Sequence, residues 1–186
     1  MPQDRKVAVF VGSLRKASLS RKTALALAKL APAHLTLDIV EIGDLPLYNE
    51  DRDKDAPPAQ WTRFRDQVRT ADAFLFVTPE YNRSVPGALK NAIDVGSRPY
   101  GKGALTKKPG GVVSVSPGAL GGFGAHHHLR QSLVFLDIPV MQQPEAYVSG
   151  AGDLFDETGE IQKEGTRDFL RTFIHAYADW VEKLAA

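Results

Sequence analysis

Ala73-Phe74-Leu75-Phe76-Val77 is an unbroken apolar run, and Val7-Ala8-Val9-Phe10-Val11 is a second one near the start of the chain. A strand with one wet face alternates apolar and polar residues, so a run without polar breaks marks a strand covered on both faces. Residues 110–115 read as a further strand, 35–42 as another carrying Leu37, Ile39, Val40 and Ile42, and 139–142 as a short fifth. Between these runs the apolar period changes from two to between three and four. Residues 22–30, 59–70, 85–95 and 126–136 read as helices. In the second of these, Trp61, Phe64 and Val68 share a face; in the third, Pro86 occupies the first turn ahead of Leu89 and Ile93. The last helix carries Phe169, Leu170, Phe173, Ile174, Tyr177, Trp180, Val181 and Leu184 along one stripe, the pattern of a helix laid on a sheet. Residues 43–58 are polar and turn-rich and read as a long surface loop, and an irregular stretch precedes Gly159.

Strands that alternate with helices imply an α/β sandwich of three layers, a parallel sheet with helices on both faces and right-handed crossovers. Ligands of such sheets bind beyond the carboxyl ends of the strands, where the strand order reverses. In the order 2-1-3-4-5 that point lies between the first and third strands. The loops at 12–21 and 78–84 are therefore expected to meet over one crevice, with the glycine-rich loop 116–124 as its far wall.

Composition narrows the function classes. The 186 residues fit one domain over 1–186, and no segment resembles a linker. A net charge of +1 argues against a nucleic-acid binder, which carries basic residues across a whole face. With no cysteine there is no disulfide, thiolate metal site or cysteine nucleophile. Neither a secretory leader nor a membrane span is signalled, so the expected location is cytoplasmic.

The first loop lies in a window from Arg5 to Leu37 that holds seven Lys or Arg and no carboxylate. Ser13, Ser18 and Ser20 offer hydroxyls, Arg15 and Arg21 offer charge, and a helix start offers free N–H groups. Strand, hydroxyl-rich basic turn and helix, in that order, suit a phosphate; an ordinary strand-to-helix loop with a solvated basic surface is the plainer reading. Neither a Walker A ending nor a GxGxxG fingerprint is present, which favours a mononucleotide phosphate. In the second loop, Pro79-Glu80-Tyr81-Asn82-Arg83-Ser84, the turn formers leave N–H groups unpaired. Tyr81 can lie beside a planar ring and Asn82 can bond to ring edges, or the segment is a capped helix entry with Ser84 as N-cap.

Gly12-Ser13-Leu14-Arg15…Ser18…Ser20 together with Pro79-Glu80-Tyr81-Asn82…Ser84-Val85-Pro86-Gly87…Lys90-Asn91-Ala92-Ile93-Asp94 resembles the NADPH-dependent FMN reductase family, and most of all its quinone, chromate and azo-dye reductase branch. The likeness extends to Gly118-Ala119-Leu120-Gly121-Gly122 and Leu129-Arg130-Gln131. It implies a flavodoxin-like fold, FMN as cofactor, NADPH or NADH as co-substrate, and small-molecule electron acceptors as partners. By position, Ser13, Arg15, Ser20 and Arg21 take the phosphate role, with Ser18 beside them. Pro79, Glu80, Tyr81, Asn82 and Arg83 take the ring role, and Ser116 and Gly118 border the flavin. The resemblance also implies hydride transfer through flavin N5 without an obligate catalytic side chain, ping-pong exchange at one face, and a homodimer or homotetramer.

Three positions depart from the family pattern. Arg83 stands where an aromatic or small residue is frequent, Val95-Gly96 replaces a bulkier pair, and His126-His127-His128 replaces a mixed polar segment. Successive helical residues point about 100° apart, so the histidine triplet does not converge on a metal and reads as a solvated or subunit-contact face. Among rival readings, a flavodoxin-like electron carrier would need a strongly acidic docking surface. A receiver-type regulator would need carboxylates where Val11-Gly12-Ser13 and Val77-Thr78-Pro79 stand.

Overall fold

Apolar side chains at successive positions force the central strands between two helical layers. In the computed structural model, which describes residues 2–184, every residue of β3 (Ala73–Thr78) and β4 (Gly110–Val115) is buried. The sheet also contains β1 (Arg5–Val11), β2 (Leu35–Val40) and β5 (Ala146–Val148). The order is β2-β1-β3-β4-β5 and every pairing is parallel, as expected from the sequence. Val7 lies opposite Leu37 on one side and Ala73 on the other, and Phe74 lies opposite Gly110.

Because successive strand residues face opposite ways, β1 feeds two separate cores. Val7, Val9 and Val11 pack with Leu27 of α1 (Leu19–Leu30) and with Phe173 and Tyr177 of α5 (Glu164–Leu184). Ala8 and Phe10 pack with Trp61 and Phe64 of α2 (Ala59–Arg69), Leu89 of α3 (Gly87–Gly96) and Leu129 of α4 (Phe123–Phe135). The buried Tyr177 hydroxyl donates to the Phe74 carbonyl at 2.8 Å, which ties α5 to the central strand.

Several boundaries differ from the sequence reading, each for a local reason. α1 begins before Lys22 because Ser18 caps it, its hydroxyl accepting from the Arg21 N–H at 3.0 Å. Ser84 is not the N-cap of α3: Pro86 holds that place, and Ser84 pairs through its backbone with Tyr81. The fifth strand is 146–148 and not 139–142. Val140 makes only an isolated bridge to Gly110. Residues 142–145 then leave the sheet through Pro144, which has no N–H to give, and the chain rejoins the edge of β4 at Val113. Val95 is fully buried, and the Gly96 carbonyl accepts from both Ala104 and Leu105, folding the following segment back on α3.

The loop at 43–58 is anchored by buried side chains. Asn91 donates to the carbonyls of Leu45 and Pro46 and accepts from the Tyr48 N–H, and the Trp61 indole donates to the Pro46 carbonyl. Arg65 grips Asp53 through two 2.6 Å bonds while its Nε donates to the Val95 carbonyl. Both members of that pair have only 5–6% of their side-chain surface exposed.

The histidine triplet does not form one solvated face. His126 is fully buried against the Tyr147 ring; His127 and His128 are exposed. The His126 Nε2 accepts from the Arg130 Nε at 3.0 Å, so the proton sits on Nδ1, which has no partner among the described residues. Burial, with the positive Arg130 and neighbouring His127, holds its pKa down to about 3.

Two measurements follow from these buried polar groups. Removing one partner strands the other charge, so Asp53→Ala is expected to cost about 3 kcal/mol in urea unfolding. Asp44→Ala, which breaks the exposed pair with Arg63, is expected to cost under about 1 kcal/mol. The His126 value lies below the ordinary 6.5, so below that pH the unfolded chain binds a proton that the folded chain refuses. Stability is therefore whole above about pH 6.5 and falls on acidification by up to ~1.4 kcal/mol per pH unit. His126→Gln, which still accepts from Arg130, is expected to lose less stability than the parent between about pH 7 and about pH 4.

Candidate active site

A parallel sheet returns the chain to the same edge after every crossover, so the loops following β1, β3 and β4 share one rim. The first two meet at their roots. A Cβ on Gly12 would stand 3.0 Å from Pro79 Cδ and 3.2 Å from the Thr78 hydroxyl, so only glycine lets β1 exit here without displacing the second loop.

The first loop runs from Gly12 to the cap of α1. Among the described residues, the backbone N–H groups of 13–20 donate to no protein group. No acidic residue occupies the first turn of α1. Ser13 is half-buried, Ser20 is buried, and Arg15 is exposed with no hydrogen bond or ion pair among the described residues. Two expected phosphate donors have other partners: the Ser18 oxygen serves the cap, and Arg21 reaches Glu41 at 2.9 Å. A cleft of about 280 Å³ opens on the β2 side of this loop, lined by Ser13, Leu14, Arg15, Arg21 and Glu41.

The second loop is a miniature hairpin. Tyr81 and Ser84 exchange two backbone hydrogen bonds, at 3.1 and 3.0 Å, across Asn82 (φ 50°) and Arg83 (φ 64°). Two successive left-handed residues make a type I′ turn, which asparagine accepts readily and arginine accepts only at a cost of about 1 kcal/mol or more. The turn leaves the N–H groups of Glu80, Asn82 and Arg83 without protein acceptors among the described residues. Tyr81 is about half exposed, its ring free to take a planar partner.

The third loop holds this hairpin in place. The Glu80 carboxylate accepts from the Ala125 N–H at 3.0 Å, placing a negative charge in the first turn of α4, which has no acid of its own. His128 Nδ1 meets the Ser84 hydroxyl at 3.0 Å. Gly124 lies so close to the hairpin that a Cβ would stand 2.7 Å from the Arg83 carbonyl oxygen. Ser116 is half-buried, and its hydroxyl oxygen accepts from the Gly118 N–H at 3.1 Å, shaping the turn after β4. Gly118, Ala119 and Leu120 are exposed on the same rim, with Phe123 beside them.

All twelve residues proposed from the sequence therefore lie on the three loops or in the first turn of α1. Ser18, Glu80 and Ser116 use polar oxygens to shape the protein itself. Sequence reasoning missed Gly124 and His128, which clamp one wall to the other. A glycine at a helix start gives a weak hint of the first; the second has no signal, since its partner lies 44 residues away. The donor set suits FMN: N–H groups and an arginine without partners among the described residues, with Ser13 and Ser20, at one end, and backbone donors with an exposed tyrosine at the other.

The NADPH-dependent FMN reductase family profile matches residues 5–153. A quinone reductase of Pseudomonas putida is 64% identical over 182 residues, covering 98% of this chain and 97% of the relative. A 2-hydroxy-1,4-benzoquinone reductase of a Burkholderia species is 48% identical, covering 95% of this chain and 96% of its own. Among solved structures, the flavoenzyme NAD(P)H:(acceptor) oxidoreductase FerB of Paracoccus denitrificans superposes with a TM-score of 0.91 at 43% identity, covering 97% and 98% of the two chains. A flavodoxin variant of Pseudomonas aeruginosa, at 18% identity and a TM-score of 0.58, shares the fold alone. Loop geometry, family profile and near relatives agree: this chain belongs to the NADPH-dependent FMN reductase family.

Proposed function

We propose that residues 1–186 form a single FMN-binding domain that takes reducing equivalents from NADPH or NADH and passes them to quinones. The observation that carries this reading is the convergence on one rim of backbone N–H groups from the loops after β1 and β3 that are unpaired among the described residues, with Arg15 likewise unpaired at one end and Tyr81 exposed at the other. Bound FMN supplies hydride acceptance and donation at N5; the protein supplies grip, orientation and charge.

Ser13, Arg15, Ser20 and the N–H groups of 13–20 hold the phosphate, with Arg21 available because its pair with Glu41 is solvent-exposed and weak. Pro79 and Glu80 set the second wall, Tyr81 and Asn82 face the ring, and the backbone of Arg83 completes the turn. Ser116 and Gly118 border the ring from the third loop. Preorganised N–H donors stabilise negative charge that develops on the reduced ring, the role such donors play at other anionic centres. No acid, base or nucleophile is required of the side chains.

A rim made of backbone groups and small or apolar side chains selects weakly among acceptors, so chromate, azo compounds and free flavin are further candidates beside quinones. One accessible face serves both substrates in turn, which gives ping-pong kinetics. Exposed Leu14 on the first loop, and Leu120 and Phe123 at the third, support a second copy as an outer wall, hence a homodimer or homotetramer.

The purified protein is expected to be yellow and to oxidise NAD(P)H with a quinone and no other protein present. Double-reciprocal plots at several quinone concentrations should be parallel; intersecting lines exclude the shared face, and absence of turnover favours an electron carrier. Arg15→Ala is expected to weaken FMN binding by about 1.5–3 kcal/mol, the size of a charged hydrogen bond, in a flavin-fluorescence titration. Unchanged affinity would remove Arg15 from the phosphate end.

A further inference from the structure

Among the described residues, all arginines but two have a partner. Arg5, Arg21, Arg63, Arg65, Arg69 and Arg171 pair with carboxylates. Arg98, Arg130 and Arg167 hydrogen-bond to other protein groups, and Arg52 lies over the Trp61 ring. The two without a hydrogen bond, ion pair or aromatic partner are Arg15 and Arg83. They stand on the first and second loops, on either side of the crevice.

Arg83 also occupies a position that its backbone disfavours. At φ 64° in the second place of a type I′ turn, glycine is the least strained choice, and the hairpin cannot relax. Its carbonyl abuts Gly124, Glu80 holds the Ala125 N–H, and Ser84 meets His128. The side chain makes no contribution to this framework, yet a long cation is carried at the exposed tip of a rigid turn.

A cation so placed needs an anion that comes and goes. The phosphate of FMN is the task of the first loop, a quinone is neutral, and chromate, though an anion, is only one alternative acceptor. The other anionic visitor that the reaction requires is the reducing dinucleotide, with its phosphates. We propose that the Arg83 guanidinium recognises a phosphate group of NADPH or NADH while the nicotinamide lies against the flavin, and so sets nucleotide affinity rather than flavin affinity. A planar guanidinium with paired donors fits phosphate oxygens. This inference rests on the proposed reductase function.

The test uses the FMN-loaded enzyme and two variants, Arg83→Gly and Arg83→Asn, both suited to a left-handed backbone, so each should melt no lower than the parent. Wild-type turnover with NADH and NADPH tests the reductase reading itself, apart from Arg83. In both variants KM is expected to rise by about tenfold or more for at least one nucleotide, the worth of one charged hydrogen bond. The KM for a neutral quinone and the bound FMN content should stay as in the parent. Arg83→Lys should fall between, keeping charge without the fork. A rise shared by both nucleotides locates the contact at the diphosphate; a rise confined to NADPH locates it at the 2′-phosphate. Unchanged KM for both nucleotides, an equal rise for the quinone, or loss of FMN would each overturn the assignment.

Discussion

Burial of β1, β3 and β4 on both faces is the constraint from which the site descends. Strands without a wet face need helices above and below, and parallel pairing needs each helix to carry the chain back to the starting edge. Every strand then ends on one rim, and β1 and β3, neighbours in the sheet, send their helices to opposite faces: α1 to the layer with α5, α3 to the layer with α2 and α4. The crevice is the gap left by that divergence. No residue of the loops had to create it; they had only to stay polar, close and unpaired.

Staying unpaired needs support, because a free N–H group beside a buried core is costly unless water or a ligand takes it. The supporting groups are the side chains that a reading of the loops alone would assign to the ligand. Ser18 caps α1, Ser116 shapes its own turn, and Glu80 spans two loops to serve α4. Polar oxygens spent in this way hold the backbone donors of the loops at fixed places. The loops then present mainly main-chain donors, and their ionised groups are few: Arg15, Lys16, Arg21, Glu80 and Arg83.

Legibility in the sequence followed the range of the interactions. The central strands and the helix stripes were readable because they depend on period and burial, which are local, whereas the strand order came from the flavodoxin-like fold that the alternation and the resemblance implied. So were the three loops, since each is fixed by where a strand stops. The fifth strand was misplaced because both 139–142 and 146–148 border β4, and only the pairing of Val140 with Gly110 and of Ala146 with Val113 tells them apart. Ser84 looked like a cap because a serine precedes a helix, while its true partners, Tyr81 and His128, come from the hairpin and from α4. His126 looked like one of three surface histidines until Arg130, one turn later on the same helix, supplied a donor to its inward-facing ring.

The same division between framework and free side chains governs what the rim can recognise. Of the charged groups in the loops, Arg21 is tied to Glu41 and Glu80 to α4, which leaves Arg15, Lys16 and Arg83 as cations without a protein partner among the described residues. Around them Leu14, Tyr81, Leu120 and Phe123 are exposed, apolar or aromatic surfaces, with Asn82 exposed at the tip of the hairpin. Flat apolar surface accepts many planar molecules at similar affinity, whereas a forked cation discriminates by the presence of an anion. Under the proposed function, such a site would be strict about phosphate-bearing ligands and lenient about the ring that follows them. On that same reading, discrimination would reside in the forked arginines, and acceptor tolerance would follow from the backbone having taken the other polar roles.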